Sequence, residues 1–311
     1  MPHGTDKGSE MMGSSAVPKN DERPAPGGPT SNPSVSVEDM PEAGNVIDSA
    51  CMTYRAIDAV MQEQTAFPNA AVQKINSTLS PARMSRFMAL ANQDPRVAMR
   101  LHAWNAAVAG SLLPTLHITE VAIRNFALRR LIATYGKRWY ENDKMTRKLG
   151  SSTLQQHLAD IIRQEKNKGR YGSSLVDYIT SELNFGFWVK CYTRTFAPDM
   201  WSRQLHTINP NIPNTLSIND IHTGVEDVRT FRNTVAHHKN LIMKPVVEKH
   251  QRTLEVLRWI CSHTAKYAQM LSTFNQVWAC CPIPHSELEA ARLANLPARQ
   301  SAAAPDAGSP G

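Results

Sequence analysis

No pair of cysteines in this 311-residue chain has the Cys-x-x-Cys spacing. The five cysteines are Cys51, Cys191, Cys261, Cys280 and Cys281, and the adjacent last two suit neither a disulfide framework nor a regular zinc site. Reduced, packed thiols are expected, with no metal and no cofactor. The opening residues, MPHGTDKGSE, lack the apolar core of a signal peptide. The longest apolar stretch, AAVAGSLLPTL at 106–116, is too short to span a bilayer and contains Pro114. A soluble cytoplasmic protein with no membrane partner is the expectation. Strand-like alternation and internal repeats are missing as well, and His102, His117, His206 and His222 lack ligand-like spacing.

What is present is positive charge and helical pattern. Lys and Arg number 34 against 27 Asp and Glu, a formal charge of +7 dispersed through the body, which favours an anionic partner such as RNA. Residues 1–46 are Pro, Gly, Ser and charged groups that bury too little to offset ordering entropy, so disorder is expected there. A helical lead-in at 47–74 has no assignable task. The helical domain itself is expected over 75–282, and 283–311 is expected as a mostly disordered tail in which LEAARLANL makes a helical turn or two.

Helix signals recur through the body. Ser80 before Pro81 and Asp94 before Pro95 each put a capping side chain ahead of a first-turn proline, and Gly136 follows LRRLIATY as a stop. An apolar face is expected on Ile118, Val121, Ala122, Leu128, Ile132 and Tyr135, and further amphipathic helices at 152–167, 174–197, 219–238 and 246–273. The stretch 206–220, with two prolines and four asparagines, reads as the main interior break. The fold class predicted is all-α, a helical bundle.

The chemistry-bearing stretch is FRNTVAHHKN at 231–240. On a helix over 219–238, Ile221, Val228, Phe231 and Val235 face the core, and His237 falls nearly opposite them, on one face with Asn233. Such a polar stripe is ordinarily a solvated face with Arg232 lying over apolar neighbours. The competing account is metal-free RNA cleavage, which needs a group titrating near neutrality to take the 2′-hydroxyl proton and a fixed cation for the phosphate. His and Arg are the side chains for those two tasks, supplied here by His237 and Arg232, and Asn233 is suited to orient the imidazole or contact the substrate. His238 remains a second candidate histidine. A further cluster, Glu120, Arg124 and Asn125 in EVAIRN, has a plain structural reading, since Glu120 and Arg124 stand at an i,i+4 spacing.

With these motifs in hand, the chain resembles the Abi-like (abortive infection) family of the HEPN superfamily. The resemblance rests on RNTVAH (232–237), on EVAIRN within 99–136, on RWY (138–140) and on LNFGFWVK (183–190), and covers roughly residues 75–275. It implies a HEPN-like helical bundle and a homodimer with the RNTVAH helices of two protomers facing each other. It also implies metal-independent endoribonuclease activity in phage defence through Arg232, Asn233 and His237, with Glu120, Arg124, Asn125 and His238 in support. A non-catalytic RNA-binding module, or a toxin-like protein controlled by an RNA or protein antitoxin, are the alternatives.

Overall fold

The structure is a computed structural model that describes residues 48–201 and 205–294, with side chains from Tyr54 onward. The expected disorder of 1–46 and of the last residues lies outside this range. Among the described residues there are fourteen α-helices and no strand. In chain order they are α1 (Asp48–Gln62), α2 (Asn69–Thr78), α3 (Pro81–Leu90), α4 (Pro95–Tyr135), α5 (Asp143–Lys148), α6 (Ser152–Asn167) and α7 (Gly172–Glu182). The second half holds α8 (Phe185–Lys190), α9 (Ala197–Met200), α10 (Ile218–Ala236), α11 (Val246–Ile260), α12 (Ser262–Leu271), α13 (Phe274–Ala279) and α14 (His285–Ala294).

The caps form as their residues dictate. The Asp94 carboxylate accepts from the Arg96 and Val97 amides at 2.8 and 3.2 Å, and Ser80 accepts from Arg83. Gly136, at φ +83, closes α4 in a conformation that a side chain would strain.

Helix α4 is 41 residues long and runs through Pro114. The carbonyl one turn earlier, which Pro114 has no N–H to serve, belongs to Gly110, an exposed residue. The flanking turn holds through burial, since Leu112 and Leu116 are 0 and 1 % exposed. This helix corrects the reading of 106–116 as too short: it is long and apolar enough to cross a membrane by length and composition alone. Core helices of soluble proteins pass the same test, and 39 % of the apolar window of α4 is buried inside this fold.

Helix α4 is the spine of two cores. Its first half packs with α3, α13, the end of α10 and residues 241–246 around Trp104, Phe87 and Phe231. Its second half packs with α8, the start of α10 and the end of α11 around Trp139, Phe187, Trp188 and Tyr192. The face expected on Ile118, Val121 and Leu128 proves to be a half-buried flank; Leu116, Ile123, Ala127 and Leu131 are the fully buried positions. Buried neighbours on several sides erase the single-stripe pattern that periodicity relies on.

Three other expectations change. The segment 174–197 is not one helix: Leu183 is extended, and Asn184 caps α8 by accepting from the Phe187 amide at 3.0 Å. The segment 246–273 breaks at the extended Cys261, where Asn209 donates to the Trp259 and Ile260 carbonyls at 3.1 and 2.8 Å and so satisfies the end of α11 from a distant loop. The start of the 283–311 segment is a ten-residue helix, more than the turn or two expected, and α14 docks Leu288, 4 % exposed, into the Trp104 core. The lead-in is tied down too: Arg100 grips Asp58 with two bonds of 2.8 Å each. The four cysteines with described side chains are free thiols, Cys191 among them fully buried.

Candidate functional site

Helix α10 begins at a capping box, with Ser217 accepting from the Asp220 amide and the Asp220 carboxylate accepting from the Ser217 amide at 2.8 Å. Its core face is Ile221, Val225, Val228, Phe231 and Val235, all at most 4 % exposed. Phe231 and Val235 share a core with Leu112 and Leu116 of α4, while Val225 and Val228 share one with Ile123, so the two helices run antiparallel.

That pairing joins two motifs 112 residues apart. Arg232 Nε donates to Glu120 Oε2 at 2.7 Å, and Arg232 Nη1 reaches Asn233 Oδ1 at 3.4 Å. The expected Glu120–Arg124 pair along α4 does not form; Glu120 spends its carboxylate across the interface instead. The guanidinium is 40 % exposed and the carboxylate 26 %, so the pair is worth at most about 1 kcal/mol of stability. Its larger consequence is directional. With Nε fixed and Nη1 turned to Asn233, the second terminal nitrogen is left without a hydrogen-bond partner in the described residues and open to solvent.

Arg124 lies one turn beyond Glu120, half-buried, with its Nε enclosed and unpartnered. Asn125 is five residues from Glu120, roughly 140° round the helix, and is not brought to the site. On the outer side of the ion pair, Ala106, Gly110, Leu113 and His117 form an exposed stripe on α4 at helical spacing. Leu113 is 51 % exposed.

The two histidines lie beyond the helix, not on it. Helix α10 ends at Ala236 and His237 is its C-cap, which shortens the expected 219–238 segment. The His237 amide bonds the Asn233 carbonyl at 3.0 Å, and the His238 and Lys239 amides close back on Val235 and Thr234 at 3.0 and 3.2 Å. His238 therefore takes the left-handed position of a Schellman turn, at φ +53, where glycine is the usual residue. Arg83 of α3 donates to the His238 carbonyl at 3.0 Å and clamps that turn from 155 residues away in sequence. Both imidazoles are exposed and make no hydrogen bond among the described residues.

The doubled histidine thus has a structural component, and it is testable. His238→Gly relieves the left-handed strain and is expected to raise stability by about 1 kcal/mol in thermal or urea unfolding. RNA cleavage, if His237 is the working histidine, should stay within a few-fold of wild type; its loss would transfer the role to His238.

Sequence reasoning missed Arg83, whose partner no local pattern indicates, and it missed His250. His250 is 6 % exposed, lies 4.6 Å ring to ring from Phe274, and has Nε2 3.3 Å from Ser272 Oγ. Burial pulls its pKa down to about 4. The folded ring refuses a proton that the unfolded chain accepts near pH 6.5, so this contribution is whole above pH 6.5 and lost as pH falls toward 4. About 2 kcal/mol should be gone by pH 5. Urea unfolding at pH 7 and pH 5 should show that drop in wild type and a much smaller one in His250→Gln.

Among the described residues no cluster of three or more His, Cys, Asp or Glu could hold a metal ion. Compared with known family models, curated proteins and solved structures, the chain has no match. The functional reading therefore rests on the chemistry of the site.

Proposed function

We propose that this protein is a metal-independent endoribonuclease of the Abi-like HEPN type, working as a homodimer and serving in phage defence. The observation that carries the reading is the Arg232–Glu120 ion pair: EVAIRN and RNTVAH, the two motifs with the most chemistry in them, meet at 2.7 Å. In this reading Glu120 and Asn233 aim the guanidinium, whose free nitrogen receives a phosphate oxygen and stabilises charge building there. In the same reading His237, the C-cap of α10, takes the 2′-hydroxyl proton or returns it to the leaving 5′-oxygen.

A lone exposed imidazole works poorly in open water, and a second subunit supplies what the monomer lacks. The bare stripe of α4, small at Ala106 and Gly110 and apolar at Leu113, adjoins the Arg232 pair and suits an isologous contact that sets two polar faces across one cleft. RNA is the expected substrate class, drawn by the formal charge of +7. The cytoplasm is the compartment this reading requires. The alternative of a non-catalytic RNA-binding module, or of a toxin-like protein whose main partner is an RNA or protein antitoxin, is favoured by one observation: among the described residues no hydrogen bond ties the His237 imidazole to the side chain of Arg232 or Asn233.

Incubation with RNA in excess chelator tests the reading. Cleavage should persist and leave a 2′,3′-cyclic or 3′-phosphate and a 5′-hydroxyl, because the 2′-oxygen is the nucleophile. A strict divalent-ion requirement, or 5′-phosphate ends, overturns it.

A further inference from the structure

A second feature stands apart from α10. The end of α4, the turn at 136–141, the end of α6 and the start of α7 line an open cavity of about 750 Å³, well within the range of small-molecule sites. Ile132, Leu175 and Val176 make an apolar floor. Tyr171 lines it as well, yet is 67 % exposed, a large ring that the fold leaves uncovered.

The polar part of the lining carries one more cation than it has carboxylates. Lys137, Arg138 and Lys166 stand against two carboxylates, Glu141 and Asp177, so three cations face two anions. Glu141 is bound by Arg138 and by Lys166, the latter at 3.0 Å, and this holds both cations in place at the rim. Lys137 is exposed and has no ion pair among the described residues.

We propose that this cavity binds a mononucleotide, with the base stacked on Tyr171 over the apolar floor and the phosphate at Lys137, Arg138 and Lys166. The two halves of the lining ask for two properties in one molecule. A neutral apolar ligand would leave Lys137 unused and Arg138 and Lys166 with one carboxylate between them, and an inorganic anion would leave the floor and Tyr171 wet. A planar ring joined to a phosphate satisfies both, since a base has a face to stack and the phosphate accepts from several donors at once. The proposal is independent of the ribonuclease reading, because it uses none of the same residues.

Isothermal titration of the full-length protein with AMP and GMP tests it, alongside adenosine, guanosine, inorganic phosphate and benzoate. At least one nucleotide should bind at low salt, with its nucleoside and inorganic phosphate each at least about tenfold weaker. Tyr171→Ala, an exposed position that should fold normally, should weaken binding by about fivefold or more through lost stacking. The double variant Lys137→Glu/Arg138→Glu should weaken it by more than about tenfold. Arg232→Ala and His237→Ala should bind as wild type does, which separates this cavity from the RNA site. Three results overturn the proposal: no binding of either nucleotide at about 1 mM, benzoate binding as tightly as the nucleotides, or binding lost in Arg232→Ala but untouched by the cavity variants.

Discussion

His237→Ala should lower the RNA cleavage rate by about two to four decades while changing RNA affinity no more than a few-fold. The two effects separate because one exposed imidazole among dispersed Lys and Arg contributes little to holding a polyanion, whereas proton transfer has no substitute once it is gone. Arg232→Ala should cost both, since it removes a phosphate contact and leaves Glu120 unpaired and facing the substrate. Single-turnover cleavage and filter binding at several salt concentrations distinguish the two variants. Mixing them is more informative. If a site draws Arg232 from one subunit and His237 from the other, two inactive proteins regain part of the activity as heterodimers, and a protein that only binds RNA regains none. Affinity for RNA that does not fall with salt would count against nucleic acid as the partner altogether.

Gly224→Ala should destabilise the fold by about 3 kcal/mol, even though alanine is the better helix former by about 1 kcal/mol. A Cβ at Gly224 would lie 2.6 Å from Trp259 Cζ3 and 2.9 Å from Val256 Cγ2, so α10 could no longer approach α11 as it does. Nor is the indole free to step aside. It is 5 % exposed, it carries the Arg252 guanidinium 4.8 Å above its ring, and its own carbonyl is held by Asn209. In a domain of this size the midpoint of thermal unfolding should fall by on the order of 6–12 °C. Trp259→Leu removes the obstructing ring, so the double variant should be less destabilised than the sum of the singles by about 1 kcal/mol or more. A Gly224→Ala protein within about 0.5 kcal/mol of wild type would mean that the two helices are not in close contact there.

Much of the fold was legible in the sequence, and for local reasons. Asp94, Ser80 and Gly136 act on amides and carbonyls within a few residues of themselves, so the start of α3 and both ends of α4 could be read without knowing what lies around them. The helix 152–167 was readable because it is amphipathic, with one side in solvent. Legibility failed where the environment is symmetric or remote. Helix α4 is buried on several sides, so its apolar residues mark no single face. The break at Cys261 is satisfied by Asn209, some fifty residues earlier, and no neighbour of Cys261 announces it.

The candidate site divides along the same line. Residue type and spacing alone determined that Arg232, Asn233 and His237 belong to one polar stretch after a core-facing stripe, because helical geometry acts over four or five residues. Only the tertiary structure decided the rest. It gave Glu120 to Arg232 and not to Arg124, since antiparallel packing of α4 on α10 brings the carboxylate nearer to the guanidinium across the interface than along its own helix. It ended α10 at Ala236, making His237 a cap and His238 the left-handed residue of a turn that Arg83 holds by its carbonyl. A sequence motif carries no record of such partners, because the energies that select them arise between segments that meet only when the chain is folded.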